Sequence, residues 1–326
     1  MKRLVEDTVL LLDQEKEEWQ NRYKGYLEDI WNNEQKYSHS EHFDEPQYLS
    51  LYTTISDRNN LKYLLRYKGE NVGIVTVKEN TKKVFLKSCV SSNFSDCPLQ
   101  KNKEVDWDSQ EAINFRSYWK TIQQKDIKMK SPEHYVENML LEEFGESNGK
   151  EKALPYIQPV RLHEHFFQMP TPLAASKHSP KYAKQNGGGI DMLARITNKD
   201  GHPRLCVIEI KDKNINSESQ KATMSQAIIY ATFIAKLLEC QPDWMEFFAG
   251  HREKRGRHRI DPSNIEVVTI MPKGGTEEFV NETLNVPGTH FTLHCHSLYY
   301  DDYQFNNNQS FDFSGTFLTE IKKYSK

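Results

Sequence analysis

Two short apolar runs with charged residues inside them limit the fold more than any other feature of this chain. The run LCVIEI within residues 204 to 211 is too apolar for a strand with one face in water. A similar run covers about 188 to 197, and the turn NKDGHP separates the two. A helix over 217 to 240 follows and is apolar nearly all round from Ala227 to Leu238, which indicates burial. We therefore predict two neighbouring strands packed against a buried helix.

The surrounding segments extend this unit in both directions. PEHYVENMLLEEF, which begins at Pro132, has the spacing and the first-position proline of a helix. YIQPVRLHEHFFQM reads as a strand in which Pro159 fits only at the start or on an edge, and IEVVTIM reads as a further strand. The order is αβββαβ, which predicts an α/β domain over 126 to 326 with a central mixed sheet flanked by helices.

The N-terminal part of the chain predicts a smaller α+β domain over residues 1 to 125. Apolar residues at helical spacing predict a helix over 14 to 37, namely Trp19, Tyr23, Leu27 and Ile30. Residues 61 to 90 alternate around two turn signals, which predicts a small antiparallel sheet, and helical spacing returns from Trp107. We find no chemical motif here, so the role of this domain is unknown. The sequence does not decide whether this domain forms a homodimer or binds another partner.

Composition excludes several classes of protein. Of 326 residues, 37% are hydrophobic and 27% charged, which fits a globular chain of about two domains rather than a disordered one. No apolar run approaches the roughly 20 residues that span a bilayer, and the N-terminus lacks a secretory pattern. The five cysteines form no CxxC pair, so we expect reduced thiols and a cytoplasmic location. A net charge of -3 means that a nucleic acid must be held by a local basic patch.

The charged residues in the two runs point to metal chemistry. Glu209 and Lys211 share one face of their strand, and Asp191 on the neighbouring strand can converge with Glu209. Two carboxylates about 4 Å apart repel by roughly 4 kcal/mol at an effective dielectric near 20, so positive charge must offset them. Lys211 supplies one charge, and Mg²⁺ or Mn²⁺ suits such oxygen ligands. The alternative is a surface hairpin with solvated side chains.

Three motifs in order resemble the PD-(D/E)XK nuclease superfamily, and more narrowly its RecB-like branch. They are GGID ending at Asp191, EIK from Glu209 to Lys211, and QAIIY on the following helix. Gln226 and Tyr230 in the last motif lie four apart, on one helix face. The resemblance covers about residues 131 to 275 and implies a restriction-endonuclease-like core.

The resemblance also implies a role for each matching residue. Asp191, Glu209 and the carbonyl of Ile210 would bind the metal ion, and Lys211 would orient or activate the attacking water. Gln226 and Tyr230 would support the site or contact the DNA backbone. Many members carry a further glutamate on the first helix. Glu133 fits that position best and Glu137 less well, although an acid at a helix N-terminus is also favoured by the helix dipole.

The chain departs from close relatives of that branch in two respects. It has no four-cysteine set for an iron–sulfur cluster. It also lacks a clear Gly-x-x-x-His segment in the first helix, where His163 and His165 on the next strand are candidate substitutes that a half-exposed strand explains equally well.

Two further segments carry weaker signals. HREKRGRHR, over 251 to 259, concentrates positive charge in one loop, which predicts either phosphate contacts or a solvated connection. Its basic residues are Arg252, Lys254, Arg255, Arg257 and Arg259. His290, His294 and His296 are spaced for one strand face, where a zinc site is the minor alternative to an exposed face.

These observations favour a metal-dependent nuclease that hydrolyses phosphodiester bonds, with DNA expected ahead of RNA, in defence or repair. Two alternatives stay open. In the first, the domain has lost catalysis and only binds nucleic acid or protein. In the second, the chain is an interaction protein whose N-terminal domain carries the function.

Overall fold

The structure is a computed structural model that describes residues 1–32, 49–53, 61–78, 83–122, 132–144, 154, 156–162, 165–175, 179–184, 187–199, 201–212, 219–250, 260–274, 281–301 and 311–321. The described residues form two compact units. The first comprises Met1–Gly25, Leu140–Val160 and Met169–Lys326, and the second comprises Tyr26–Met139 and Arg161–Gln168.

Helices and strands are numbered in chain order. The helices are α1 (Lys2–Gln14), α2 (Lys16–Asn32), α3 (Gln110–Ile122), α4 (Pro132–Phe144), α5 (Gln220–Cys240) and α6 (Asp243–Ala249). The strands are β1 (Ser50–Thr53), β2 (Leu61–Tyr67), β3 (Glu70–Lys78), β4 (Lys83–Ser88), β5 (Glu104–Asp106), β6 (Ile157–Pro159), β7 (Arg161–Leu162), β8 (His165–Phe167), β9 (Leu173–Ala174), β10 (Lys181–Tyr182), β11 (Met192–Thr197), β12 (Pro203–Ile210), β13 (Asn264–Pro272), β14 (Glu282–Asn285), β15 (Thr292–Tyr300) and β16 (Phe313–Ser314). Among the described helices, none has the length and apolar character needed to cross a bilayer.

A mixed sheet forms the centre of the first unit. Its strand order is β14-β15-β13-β12-β11-β6, with β16 added beside β15. β12, β13 and β15 run parallel, whereas β11 pairs antiparallel with both β12 and β6. The parallel pair β12 and β13 is joined through α5, as a crossover requires. The α/β class, the mixed sheet and the antiparallel pair β11–β12 are therefore confirmed, while assignment to the restriction-endonuclease-like fold stays a prediction.

Burial explains why the apolar runs form these elements. Every residue of β12 from Leu205 to Ile210 is fully buried, and β12 is an inner strand of the sheet against which α5 packs. The hydroxyl of Ser219 accepts a hydrogen bond from the N–H of Ala222 and caps the start of α5. From Ala227 to Leu238 the helix α5 is buried throughout, as its apolar composition predicts.

α1 and the part of α2 up to Gly25 belong to the first unit rather than to the predicted N-terminal domain. The ring of Phe233 on α5 lies 5.8 Å from that of Trp19 and 4.8 Å from that of Tyr23. Lys236, also on α5, forms an ion pair with Asp13 at 2.7 Å. Trp19 and Tyr23 of the predicted apolar stripe thus pack against a helix that is itself apolar on all sides. This division differs from the predicted one at residues 125 and 126, and α2 begins at Lys16, with residues 33 to 37 outside the described part.

The segment predicted as one strand over 156 to 169 contributes to both sheets. β6 is the edge strand of the first sheet and ends at Pro159, which agrees with the constraint on that proline. β7 and β8 pair with each other in the second unit. The prediction of a single strand was wrong, because the N–H of Val160 donates to the carbonyl of Leu193 at 2.7 Å and the chain then leaves that sheet.

The second unit contains a sheet of order β5-β4-β3-β2-β1-β8-β7. β2, β3 and β4 pair antiparallel in succession, and Lys68 and Gly69 form the turn between β2 and β3 with positive φ. The rings of Trp119 on α3 and Tyr67 on β2 lie 4.9 Å apart in its core. The small antiparallel sheet and the helix that follows it are confirmed.

Candidate metal centre

Asp191 and Glu209 meet at one end of the β11–β12 pair. Met192 lies opposite Ile208, so continuing the register by one residue places Asp191 opposite Glu209. Directly opposed residues of an antiparallel pair point to the same face. A carboxylate oxygen of Asp191 lies within 4.8 Å of one of Glu209. The convergence that strand alternation predicts is present.

Asp191 is oriented by the main chain of β12. The N–H of Ile210 donates a hydrogen bond to its Oδ2 atom at 2.8 Å. Asp191 precedes the first residue of β11, so its side chain, instead of a main-chain carbonyl, accepts the hydrogen bond from the N–H of Ile210. Ile210 therefore holds one oxygen of Asp191 through its N–H, and the carbonyl of the same residue is the predicted third ligand.

Lys211 lies on the same face as Glu209, two residues further along. Its Nζ atom donates to Oε1 of Glu209 at 3.1 Å. The side chain of Glu209 is 0% exposed and that of Lys211 is 8% exposed. The alternative of a solvated surface hairpin is therefore wrong, because these charges lie inside the first unit.

The charges of this cluster do not balance. Burial raises the pKa of Glu209 well above its usual range, the charge of Asp191 raises it further, and Lys211 opposes both effects. With both carboxylates ionised, Oε2 of Glu209 is buried and lacks a hydrogen-bond donor among the described residues. A proton shared with Asp191 would satisfy this oxygen, and so would a cation. Two carboxylates and one ammonium thus form a site that a divalent cation would complete.

Tyr230 on α5 lies near this cluster, and Gln226 lies one helical turn before it. Burial raises the pKa of Tyr230, and the nearby carboxylates of Glu209 and Asp191 raise it further. A hydrogen bond from the side chain of Gln226 acts in the opposite direction. Tyr230 therefore lies beside the two carboxylates, and Gln226 interacts with it from one helical turn earlier.

The glycines before Asp191 allow the main chain to approach α5 closely. A Cβ atom built on Gly188 would overlap the hydroxyl of Tyr230 and come within 2.8 Å of its Cζ atom. A Cβ atom on Gly187 would lie 2.5 Å from the carbonyl oxygen of Leu173. The glycine run therefore gives Tyr230 its place beside the cluster.

We expect Gly188→Ala to destabilise the protein by about 1–3 kcal/mol, since the added methyl group forces the buried Tyr230 ring to move. Urea denaturation measures this loss. The double variant Gly188→Ala/Tyr230→Phe should recover part of it, because the nearest clashing atom is removed. A single variant as stable as the wild type would show that no close approach exists.

The two candidate glutamates of α4 are placed differently. The carboxylate of Glu137 is buried and contacts Nη1 of Arg66 at 3.5 Å and Nδ1 of His134 at 3.1 Å, so it belongs to an ion-pair network of the second unit. Glu133 lies in the first turn of α4 and is partly exposed. Its part in a metal site stays a prediction. His163 lies outside the described residues, and His165 is buried with its ring 5.0 Å from that of Tyr63.

The three histidines at positions 290, 294 and 296 do not share a ligand position, and only the last two lie on β15. His290 contacts Glu239 at 2.6 Å, His294 contacts Asn264 at 2.7 Å and His296 contacts Glu266 at 3.1 Å. In the described part of the chain, the group with metal-binding proximity does not include them. The zinc hypothesis is not supported.

His296 corrects the expectation of an exposed strand face, since it is buried. Its partner Glu266 is 1% exposed and also contacts Nη1 of Arg204 at 2.6 Å. Glu266 pairs with Cys206, three residues from Glu209, so this network lies on the opposite face of the sheet. The sequence reading missed it because its members come from three separate strands.

The basic loop over 251 to 259 lies outside the described residues. The predicted contacts of Arg252, Lys254, Arg255, Arg257 and Arg259 therefore stay predictions. The helix before the loop ends at Gly250, whose φ of 65° suits glycine.

Comparison of the chain with protein-family models, with curated proteins and with solved structures finds no match.

Proposed function

We propose that the first unit carries a divalent-metal-dependent nuclease site that hydrolyses phosphodiester bonds, with DNA as substrate ahead of RNA. The observation that carries this proposal is the cluster of Asp191, Glu209 and Lys211, in which Glu209 and Lys211 are buried and one ammonium accompanies two carboxylates. The resemblance of GGID, EIK and QAIIY to the RecB-like branch supports the same reading, together with a restriction-endonuclease-like core.

Asp191, Glu209 and the carbonyl of Ile210 would hold Mg²⁺ or Mn²⁺. When bound, the cation supplies Lewis acidity and charge neutralisation at the scissile phosphate. Oε2 of Glu209, buried without a donor among the described residues, fits this role. Oxygen donors are also the ligands that these two ions prefer.

Lys211 would act on the reacting groups directly. Its ammonium is held by Glu209 at 3.1 Å and is mostly shielded from solvent, so its charge is weakly screened. An ammonium in this position donates hydrogen bonds to an attacking water and to a phosphate oxygen. It would stabilise the negative charge that develops on the phosphate in the transition state.

The alternative is a nuclease-like module that binds nucleic acid or protein without cleaving. A buried lysine and two carboxylates cost desolvation energy that a binding surface does not require. Retention of all three therefore favours catalysis.

Cleavage of supercoiled plasmid tests the proposal, with a single-stranded RNA of similar length in parallel. We expect nicking with Mg²⁺ or Mn²⁺, its loss with EDTA, and its loss in Asp191→Asn. Nucleic-acid binding without cleavage would establish the binding module instead. If the protein neither binds nor cleaves nucleic acid, the proposal fails, and the function would then have to lie in the second unit.

Gln226 tests the branch of the superfamily. We expect Gln226→Ala to lower turnover by about tenfold, which is about 1.4 kcal/mol at the barrier, with an unchanged melting temperature. Its reason is the hydrogen bond that holds Tyr230 beside the two carboxylates.

Ser225→Ala is the matched control for Gln226→Ala, because the Ser225 hydroxyl bonds within the helix to the carbonyl of Lys221 at 2.8 Å. It should leave turnover unchanged. If Gln226→Ala reduces stability but not turnover, the RecB-like assignment fails and the broader nuclease proposal stands on Asp191, Glu209 and Lys211.

A further inference from the structure

Both main-chain polar groups of Lys211, its N–H and its carbonyl, form hydrogen bonds. Its N–H donates to the carbonyl of Ile270 on β13 at 2.9 Å. Its carbonyl accepts a hydrogen bond from the hydroxyl of Tyr300 on β15, also at 2.9 Å. Lys211 lies one residue beyond the end of β12. The bond to β13 therefore holds only the N–H side of Lys211, and the bond from Tyr300 holds its carbonyl.

Tyr300 is itself rigidly placed. It is buried, and its carbonyl accepts a hydrogen bond from the N–H of Lys273 at 2.8 Å. Its ring packs edge-on against Phe311, with centroids 5.8 Å apart and an interplanar angle of 87°. β16 pairs beside it, with Phe313 opposite Tyr300. The packing of the ring therefore fixes the position of the Tyr300 hydroxyl that donates to Lys211.

The bond spans a neighbouring strand. β13 lies between β12 and β15, and Pro272 at its end is the register partner of Tyr300. The side chain of Tyr300 therefore reaches across the end of β13 to the carbonyl of Lys211. No short-range pattern links residues 211 and 300, which explains why the sequence alone does not predict this contact.

We infer that Tyr300 is a positioning residue for Lys211. A lysine side chain is long and flexible, so the place of its ammonium depends on the direction in which its main chain points. Loss of the Tyr300 hydroxyl leaves a buried carbonyl without this donor and frees the peptide unit after Lys211 to rotate. The ammonium would then leave its place beside Glu209. The effect on turnover rests on the proposed function, whereas the effect on the lysine does not.

Tyr300→Phe tests the inference, because it removes the hydroxyl and retains the ring against Phe311. The first readout is the reaction rate of each lysine amine with a reductive-methylation reagent, measured by peptide mass spectrometry. Lys236 is the internal reference, since its side chain is 7% exposed and pairs with Asp13 at 2.7 Å. We expect Lys211 to react several-fold faster in Tyr300→Phe and Lys236 to react at the wild-type rate.

Tyr23→Phe is the control variant, because the Tyr23 hydroxyl also donates to a main-chain carbonyl, that of Pro170 at 2.7 Å. It should leave the reaction of Lys211 unchanged. Equal acceleration of Lys211 and Lys236 would show general loosening and overturn the inference. An unchanged Lys211 rate would overturn it as well.

The second readout is plasmid cleavage. We expect Tyr300→Phe to lower kcat roughly tenfold with KM unchanged, the effect of one misplaced hydrogen-bonding group. Wild-type kcat in Tyr300→Phe would contradict the inference while leaving the proposed function intact. If the wild-type protein cleaves nothing, the proposed function fails, and the lysine reaction rates still decide whether Tyr300 holds Lys211.

Discussion

Lys211→Ala should abolish metal-dependent cleavage, with a loss of about 10²- to 10⁴-fold in kcat, while DNA affinity stays nearly unchanged. The reason is that the Lys211 ammonium is buried beside Glu209, where in the proposed mechanism it would act on the reacting phosphate rather than on the DNA surface. Single-turnover cleavage and fluorescence-anisotropy binding measure the two quantities separately.

Lys236→Ala is the matched control for this variant. Lys236 is equally buried and also ion-paired, but its partner is Asp13 on α1. We expect it to reduce stability without affecting turnover. If Lys211→Ala weakens DNA binding and turnover to the same extent, Lys211 mainly anchors a phosphate. The proposed role of Lys211 in the transition state is then wrong.

Glu209→Gln should remove metal binding and change the pH dependence of stability. Mn²⁺ should stabilise the wild-type protein by about 2.7 kcal/mol when present at 100 times its dissociation constant. The variant should gain none of this, because a neutral amide replaces the buried carboxylate. Thermal denaturation with and without Mn²⁺ measures the difference.

The pH effect has a definite sign. The folded chain raises the pKa of Glu209, so above the unfolded value of 4.5 the folded state binds more protons than the unfolded state. Without metal, this carboxyl therefore lowers stability as the pH rises from about 4.5 towards the raised pKa. Glu209→Gln should lose this component of the pH dependence.

Glu111→Gln is the control for Glu209→Gln, since the Glu111 side chain is 54% exposed and pairs with Lys103 on the surface. It should keep the metal response and the pH dependence of the wild type. Equal stabilisation of Glu209→Gln and wild type by Mn²⁺ would show that the ion binds elsewhere.

Local patterns predict the part of the site that lies on one hairpin. The period of two in β12 places Glu209 and Lys211 on one face, and the turn at 198 to 203 pairs that strand with β11. Asp191 then falls opposite Glu209 by register alone. The apolar character of α5 likewise predicts its burial.

The rest depends on contacts between distant parts of the chain. Gly188 is followed 42 positions later by the tyrosine that it accommodates, and Lys211 is separated from Tyr300 by 89 positions. Such pairs leave no periodic trace, because each residue alone satisfies an ordinary strand, helix or turn. The grouping of α1 with α5 also depends on packing, since an amphipathic helix does not specify which surface will cover its apolar stripe.

Anomalous diffraction from a crystal of the wild-type protein, soaked with Mn²⁺ and a short DNA duplex, would show where the metal ion binds. We predict an anomalous peak between Asp191 and Glu209, with carboxylate oxygens of both residues at roughly 2.0 to 2.3 Å. A DNA phosphate should complete the coordination near Lys211. Mn²⁺ bound elsewhere, with no ion between Asp191 and Glu209, would contradict the proposed metal site.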